Sequence, residues 1–168
     1  MEEEVLIVDE HNNAIGSAPR SVMRAKNLPH RATYCLVFNS DGRLFIQKRT
    51  ATKDIYPSHW DICAGGVVLK DESYEEAAQR ELAEELGVSG VELEFLFDFF
   101  FKDENNSVWG RAFKCIHNGP FVLQEEEVEK GMFISIEDLF EMTKREPFTP
   151  DGILLLERLR KEGHLKLK

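Results

Sequence analysis

Residues 65–88 read GGVVLKDESYEEAAQRELAEELGV, and most of this stretch predicts an α-helix from Tyr74 to Leu86. Ser73 is a natural N-cap and Glu76 follows it by three positions, which is the spacing of a capping box. Gly87 stands where the end of a helix favours a left-handed residue. Apolar residues recur at every fourth position and predict one buried stripe, made of Tyr74, Ala78, Leu82 and Leu86.

The same helix carries three glutamates on one face, because Glu81, Glu84 and Glu85 stand at positions i, i+3 and i+4. Like charges this close repel one another, and Arg80 is a single cation beside them. One interpretation is a solvated acidic face. The other is a site for a hard divalent cation, since Mg²⁺ and Mn²⁺ prefer oxygen ligands.

The surrounding sequence favours the cation site, because it resembles the Nudix box, G-x5-E-x7-R-E-U-x-E-E-x-G-U, where U is apolar. Residues 66–88 match every fixed position, at Gly66, Glu72, Arg80, Glu81, Leu82, Glu84, Glu85, Gly87 and Val88. A match of this length at fixed spacing is far more specific than a lone glycine motif. The resemblance implies an α/β/α sandwich with a mixed β-sheet, and a hydrolase that cuts a phosphoanhydride bond.

The resemblance also implies roles for individual residues. In the family, the matching glutamates hold Mg²⁺ or Mn²⁺, and here they are Glu81, Glu84 and Glu85. The residue matching Gly65 offers its carbonyl oxygen as a further ligand. Arg80 is expected to orient the glutamates and Glu72 to pin the loop. The metal activates a water that attacks phosphorus, with Glu84 and Glu85 counted among the catalytic residues.

A general base is also expected, and its position varies within the family. The acidic run 124–128 precedes a predicted strand, and a carboxylate at the mouth of a strand can reach a site built on the helix. We predict Glu127 as the base or as an extra metal ligand, with Glu125 next. An ordinary acidic loop is the alternative for each of them.

Outside the box, residues 5 to 135 are similar to the branch of the family that includes isopentenyl-diphosphate isomerase. The similarity is carried by His30-Arg31-Ala32, Gln47-Lys48-Arg49-Thr50, Lys53, Pro57 and Trp60. The isomerase needs a cysteine five residues after the tryptophan and a histidine two further on, where this chain has Gly65 and Val67. The intact box favours a hydrolase of that branch over an isomerase, and also over a non-catalytic Nudix-like binding module.

Four cations near this similarity are candidate ligands for substrate phosphates, because basic side chains complement oxyanions. They are Arg31, Lys48, Arg49 and Lys53. Ordinary exposed cations on a strand and a turn are the other interpretation. The predicted substrate is a small molecule, either a nucleoside-diphosphate-linked compound or another organic diphosphate, and no motif names it more closely.

The composition excludes several classes of protein. A net charge of −10 argues against binding to nucleic acid or to an anionic membrane surface. No apolar run reaches the roughly 18 uncharged residues of a membrane helix. The chain opens MEEE, without the basic and apolar regions of a secretory signal, and its three cysteines fit reduced thiols, so we expect a cytoplasmic protein. Phenylalanines at 95, 97, 99 and 101 indicate either core packing or the surface of a homodimer.

No repeat or linker divides the sequence, so we predict a single domain over residues 1–168 with a mixed α/β or α+β fold. Strands are predicted at Val5–Val8, Thr33–Asn39, Leu44–Gln47, Trp60–Ala64, Val91–Phe101, Val108–Ile116 and Met132–Ile134. Besides the box helix, shorter helices are predicted at Asp138–Lys144 and Asp151–Lys161. Asn39-Ser40-Asp41-Gly42 and the polar run 102–107 predict two hairpins.

Overall fold

The computed structural model describes residues 2–165, so Met1 and residues 166–168 of the predicted domain lie outside the described residues. Its elements, in chain order, are β1 Glu4–Val8, β2 Ala14–Pro19, α1 Arg20–Lys26, β3 His30–Phe38, β4 Leu44–Arg49, β5 Trp60–Asp61, α2 Tyr74–Leu86, β6 Glu94–Lys102, β7 Ser107–Ile116, β8 Val128–Ile134, α3 Ile136–Met142 and α4 Pro150–Lys161. No helix within residues 2–165 is long and apolar enough to cross a membrane.

The predicted box helix is confirmed at both ends, because its capping groups all form. The Ser73 hydroxyl accepts a hydrogen bond from the Glu76 backbone N–H at 3.1 Å. The Glu76 carboxylate accepts one in return from the Ser73 backbone N–H at 3.0 Å. Gly87 ends α2 in the left-handed region with φ 67°. Local side-chain chemistry therefore fixes where α2 begins and ends.

Strand β3 lies at the centre of a mixed sheet. It pairs in parallel with β7, from His30 opposite Val108 to Phe38 opposite Ile116. β7 pairs antiparallel with β6, which confirms the second hairpin, and β4 pairs antiparallel with β8. The β3–β4 hairpin turns at Gly42, which has φ 81°. The predicted mixed sheet is therefore confirmed.

Helices cover both faces of this sheet, so the α/β/α sandwich is also confirmed. Side chains of β3 alternate between the two layers. Tyr34 and Leu36 pack in the core that includes α3 and α4. Cys35 and Val37 pack on the other side, in the core that includes the apolar stripe of α2. On β6, Phe97 and Phe99 are buried in the core, whereas Phe95 is exposed.

The predicted strand Trp60–Ala64 is shorter in the structure, where β5 covers Trp60–Asp61 alone. The chain after it follows β3 through separate backbone hydrogen bonds instead. Cys35 N–H donates to the Ala64 carbonyl at 2.7 Å, and Thr33 N–H donates to the Gly66 carbonyl at 2.9 Å. We call residues 64–69 the box loop. Its pairing with β3 brings the box glycines alongside the central strand of the sheet.

Two elements were missed by the sequence analysis. β2 is mostly exposed and lacks the apolar alternation that predicts a strand. α1 is one short helix in which Met23 is the buried residue, so it has no apolar stripe to detect. Of the two, α1 matters for the site, because it supplies cations to the cavity described below.

Candidate functional site

The box loop approaches its neighbours so closely that a side chain at Gly65 would clash with the backbone and one at Gly66 would displace the Glu81 carboxylate. Gly65 has φ 149°, and a Cβ built there would lie 2.0 Å from the Thr33 carbonyl oxygen. At Gly66, a Cβ would lie 2.8 Å from the carboxyl carbon of Glu81. Real Cβ atoms do not approach other heavy atoms this closely. The two glycines therefore let the loop pass between β3 and the glutamates of α2.

Arg80 ties the helix to the box loop. Its guanidinium donates two hydrogen bonds to the Glu72 carboxylate, at 2.6 and 2.9 Å. It also donates to Glu81 Oε1 at 2.6 Å and to the Val67 carbonyl at 3.1 Å. Glu72 in turn accepts from the Leu69 backbone N–H at 2.9 Å. The planar guanidinium of Arg80, with its fixed N–H donors, therefore holds the box loop and Glu81 in one relative position.

Glu85 is the most deeply buried of the three glutamates, with 7% of its surface exposed. The Gln47 amide donates to its Oε1 at 3.1 Å, and the Gly65 backbone N–H donates to its Oε2 at 3.4 Å. Burial, and then the neighbouring Glu81 carboxylate, raise the pKa of Glu85 well above its usual range. Burial also raises the pKa of Glu81. A positive charge nearby would therefore stabilise the ionised forms of these two carboxylates.

Glu84 completes the predicted set from a more open position, with half of its side chain exposed and Arg80 at 3.4 Å. Among residues 2–165, no three acidic, histidine or cysteine side chains already stand in the arrangement of a metal site. The donor set nevertheless fits a hard divalent cation, since Glu81, Glu84 and Glu85 offer only carboxylate oxygens. A cation there would offset the charge of the buried Glu85 and of the partly buried Glu81.

The predicted base, Glu127, lies on the same side of the molecule. Its carboxylate forms an ion pair with the Lys53 ammonium. Lys53 in turn lowers the pKa of Glu85 through its charge, so the three groups share one electrostatic neighbourhood. Glu125, the second candidate, is exposed.

A cavity of about 80 Å³ opens beside Gly65 and Gly66. Two of the four predicted phosphate ligands, Arg49 and Lys53, line it. The other two have partners elsewhere. Arg31 donates to Asn12 Oδ1 at 2.8 Å, and Lys48 lies 3.7 Å from Glu129.

The cavity has further cations that the sequence analysis missed. Arg20 and Arg24 reach it from α1, and both hold Asp54, at 2.9 and 3.3 Å. These residues are some forty positions before the box, and no motif connects them with it. The regular spacing of Arg20 and Arg24 on one helix face was the only available signal.

The far side of the cavity is acidic and was also missed. It is lined by Asp61 and Asp151, with Tyr34 and Thr149 beside them. Asp61 lies 3.5 Å from an Arg49 nitrogen and accepts from the Cys63 backbone N–H at 3.3 Å. Burial raises the pKa of Asp61 to about 6. The charge of Arg49 opposes this rise, and the Asp151 carboxylate adds to it. The cavity therefore joins a cationic side to an acidic one.

His30 lines the same cavity, and its burial leads to a prediction about how the unfolding free energy depends on pH. Burial lowers the pKa of His30 from 6.5 to about 4, with the Arg24 charge acting in the same direction. The unfolded chain therefore takes up this proton first as the pH falls. We expect protonation of His30 in the unfolded chain to lower the unfolding free energy by about 2 kcal/mol between pH 7 and pH 5. Urea unfolding at a series of pH values measures this loss.

The matched comparison separates His30 from the other titrating groups. His30→Gln should show a smaller loss of stability over that interval than the wild type, by about 2 kcal/mol. His11→Gln is the control, since the side chain of His11 is 74% exposed. Equal pH profiles for wild type and His30→Gln would contradict the buried, neutral imidazole.

Comparison with known proteins shows which sequences and structures this chain resembles. A model of the NUDIX domain matches residues 28–159. The Nudix hydrolase YfcD of Escherichia coli K12 is 46% identical over 150 residues, which cover 89% of this chain and 82% of that protein. The crystal structure of DR0079 from Deinococcus radiodurans has a TM-score of 0.79 at 25% identity and covers 95% of this chain and 98% of its own. The NUDIX domain of Shewanella oneidensis NrtR, crystallised with ADP ribose, shares the fold, with a TM-score of 0.65 at 16% identity over 86% of this chain and 99% of its own.

Proposed function

Because the chain belongs to the Nudix hydrolase family, we propose that it hydrolyses a phosphoanhydride bond in a nucleoside-diphosphate-linked or other organic diphosphate. The observation that carries this proposal is the buried Glu85 carboxylate with the partly buried Glu81 next to it, beside a cavity lined by arginine and lysine side chains. Carboxylates of this kind suit a divalent cation, and cationic side chains suit a phosphate. The NrtR domain bound to ADP ribose is in keeping with a substrate of this class.

In the proposed site, Glu81, Glu84 and Glu85 hold Mg²⁺ or Mn²⁺, with the Gly65 carbonyl as a further ligand. A divalent cation bound there polarises phosphate oxygens and lowers the pKa of a bound water. Arg80 keeps Glu81 aligned, and it keeps Glu72 on the box loop.

The remaining residues of the site handle the substrate and the proton. Arg49 and Lys53 bind the diphosphate oxygens from the cavity wall. Glu127, which Lys53 holds beside the cavity, accepts a proton as the oxygen of water bonds to phosphorus. The bridging P–O bond breaks, and its electron pair leaves with the departing phosphate group.

The proposal includes a cytoplasmic location. Cys35, Cys63 and Cys115 are all buried free thiols, which suits a reducing compartment.

The direct test measures phosphate or nucleotide release from a panel of diphosphates with Mg²⁺, with Mn²⁺ and with a chelator. The panel contains ADP, ADP-ribose, UDP-glucose and isopentenyl diphosphate. We expect turnover of at least one compound that needs added metal and stops on chelation. Calorimetric titration with Mn²⁺ is run in parallel. A folded protein that binds no metal and cleaves no compound would refute the proposed function.

A further inference from the structure

The acidic side of the cavity contains buried polar atoms that lack a partner. Within residues 2–165, Asp151 Oδ1 and Thr149 Oγ1 have no hydrogen-bond partner, although the two residues are only 9% and 2% exposed. Such atoms are costly in a folded protein unless something pairs with them. We infer that this side of the cavity binds hydrogen-bond donors, hydroxyl or amino groups, of the moiety attached to the substrate diphosphate.

The usual structural roles do not account for these atoms. Thr149 is at the N-cap position of α4, yet in the described chain its side chain makes no capping hydrogen bond. Asp151 lies in the first turn of α4, where a negative charge is favourable, and its Oδ2 accepts from the Tyr34 hydroxyl at 2.7 Å. These contacts explain the charge of Asp151 and the position of one oxygen. They leave Oδ1 without a partner in a residue that lines the cavity.

The acidic residues of the cavity are suited to bind a ligand that donates hydrogen bonds. An ionised carboxylate can only accept hydrogen bonds, and a threonine hydroxyl can do both. Asp61 faces the same region, because a Cβ at Gly152 would lie 2.5 Å from Thr149 Oγ1 and 3.7 Å from Asp61 Oδ1. Hydroxyl or amino donors of a ligand therefore match the acceptor atoms of this pocket.

The size of the cavity limits what reaches this surface. Its volume of about 80 Å³ is well below the cavity of about 150 Å³ that admits a benzene ring. The cavity therefore admits the edge of a ligand that carries hydroxyl or amino groups, and the rest of a larger moiety stays outside it. We call Asp61, Thr149 and Asp151 the donor-binding surface.

The donor-binding surface rests on the proposed function and narrows its substrate class. Gly65, Gly66 and Lys53 line the same cavity, so a diphosphate at the glutamates can extend its other moiety toward Asp151. A hydroxylated moiety such as a sugar would satisfy the unpaired oxygens. An isoprenoid diphosphate would leave them unpaired, and sites of this kind reject such an analogue strongly.

The test measures dissociation constants by calorimetry with Mg²⁺ on the Glu127→Gln protein, which lacks the proposed base but keeps the proposed metal ligands, so that binding is observed without turnover. The compounds are UDP-glucose, UDP, ADP, IDP and isopentenyl diphosphate. We expect at least one donor-bearing compound to bind about tenfold or more tightly than isopentenyl diphosphate. Tighter binding of UDP-glucose than UDP assigns the donors to sugar hydroxyls, and tighter binding of ADP than IDP assigns them to an amino group.

Asp151→Asn tests the residue itself, because the amide keeps an acceptor for Tyr34 and presents a donor to the cavity. We expect it to weaken the preferred compound about tenfold and to change isopentenyl diphosphate less than twofold. Thr149→Val is a second variant of nearly the same shape. Asp138→Asn, an exposed acid in the first turn of α3, is the matched control and should change neither compound.

The outcomes of this test separate the inference from the proposed function. Selective binding without hydrolysis by the wild type would support the donor-binding surface and refute the hydrolase. Hydrolysis by the wild type, with isopentenyl diphosphate bound as tightly as the other compounds, would overturn the donor-binding surface and leave the hydrolase intact. Unchanged binding in both Asp151→Asn and Thr149→Val would also overturn it.

Discussion

Glu85→Gln is expected to lower kcat by about 10³-fold or more while the protein stays folded. Glutamine matches glutamate in size and can keep the hydrogen bond from Gln47 Nε2. It removes the charge that the proposed divalent cation requires. The measurement is steady-state hydrolysis of the best compound of the panel, together with calorimetric titration of Mn²⁺, whose affinity should fall in parallel.

The stability of Glu85→Gln provides an independent check. Because burial raises the pKa of Glu85 above its usual 4.5, the ionised carboxylate destabilises the metal-free fold once the pH exceeds that value. The variant should therefore be at least as stable as the wild type at pH 7.5 without metal, with an advantage that shrinks toward pH 4.5. Glu75→Gln, an exposed acid on the same helix, should change neither activity nor stability. Wild-type turnover by Glu85→Gln would remove Glu85 from the proposed catalytic residues.

Arg80→Lys is expected to damage both stability and activity, although it preserves the charge. A lysine cannot reproduce the fork that donates twice to Glu72 and also reaches Glu81 and the Val67 carbonyl. Since the Arg80 side chain is only 21% exposed, we expect the unfolding free energy to fall by about 2 kcal/mol. Release of Glu81 and of the box loop should lower kcat by about 100-fold.

The matched control for Arg80→Lys is Arg111→Lys. Arg111 also grips one carboxylate with two nitrogens, donating to Asp98 at 2.7 and 2.9 Å, but it lies between β6 and β7. Its replacement should cost about 1 kcal/mol of unfolding free energy and leave kcat unchanged. Urea unfolding and kinetics at 20 °C measure both quantities. Equal kinetic effects of the two replacements would show that Arg80 acts on stability alone.

The predictions from sequence succeeded where the physical cause is local. The ends of α2 follow from Ser73, Glu76 and Gly87, all within a turn of the residues they cap. The position of Arg80 among the glutamates likewise follows from helical spacing. The sandwich and its mixed sheet were predicted from the family resemblance, and the structure and comparisons confirm both.

The cavity could not be predicted, because its residues come from distant segments. Arg20 belongs to a short helix without an apolar stripe, and Asp151 opens the last helix of the fold. Only the packing of α1 against β1 and β2, and of the start of α4 beside β5, brings them together. The local pattern of a single sequence contains no signal for such contacts. The same reason explains why Arg31 and Lys48, close in sequence to cavity residues, have partners elsewhere.

The pairing of the box loop with β3 has a consequence for how proteins of this kind diverge. The loop is held by main-chain hydrogen bonds, such as Thr33 N–H to the Gly66 carbonyl, which almost any side chain on β3 would allow. The proposed metal-binding residues lie in one contiguous segment, whereas much of the cavity wall comes from outside it, including α1, β5 and α4. Mutations in the wall can therefore accumulate without disturbing the segment that cuts the bond. Substrate preference is then free to evolve on an inherited reaction.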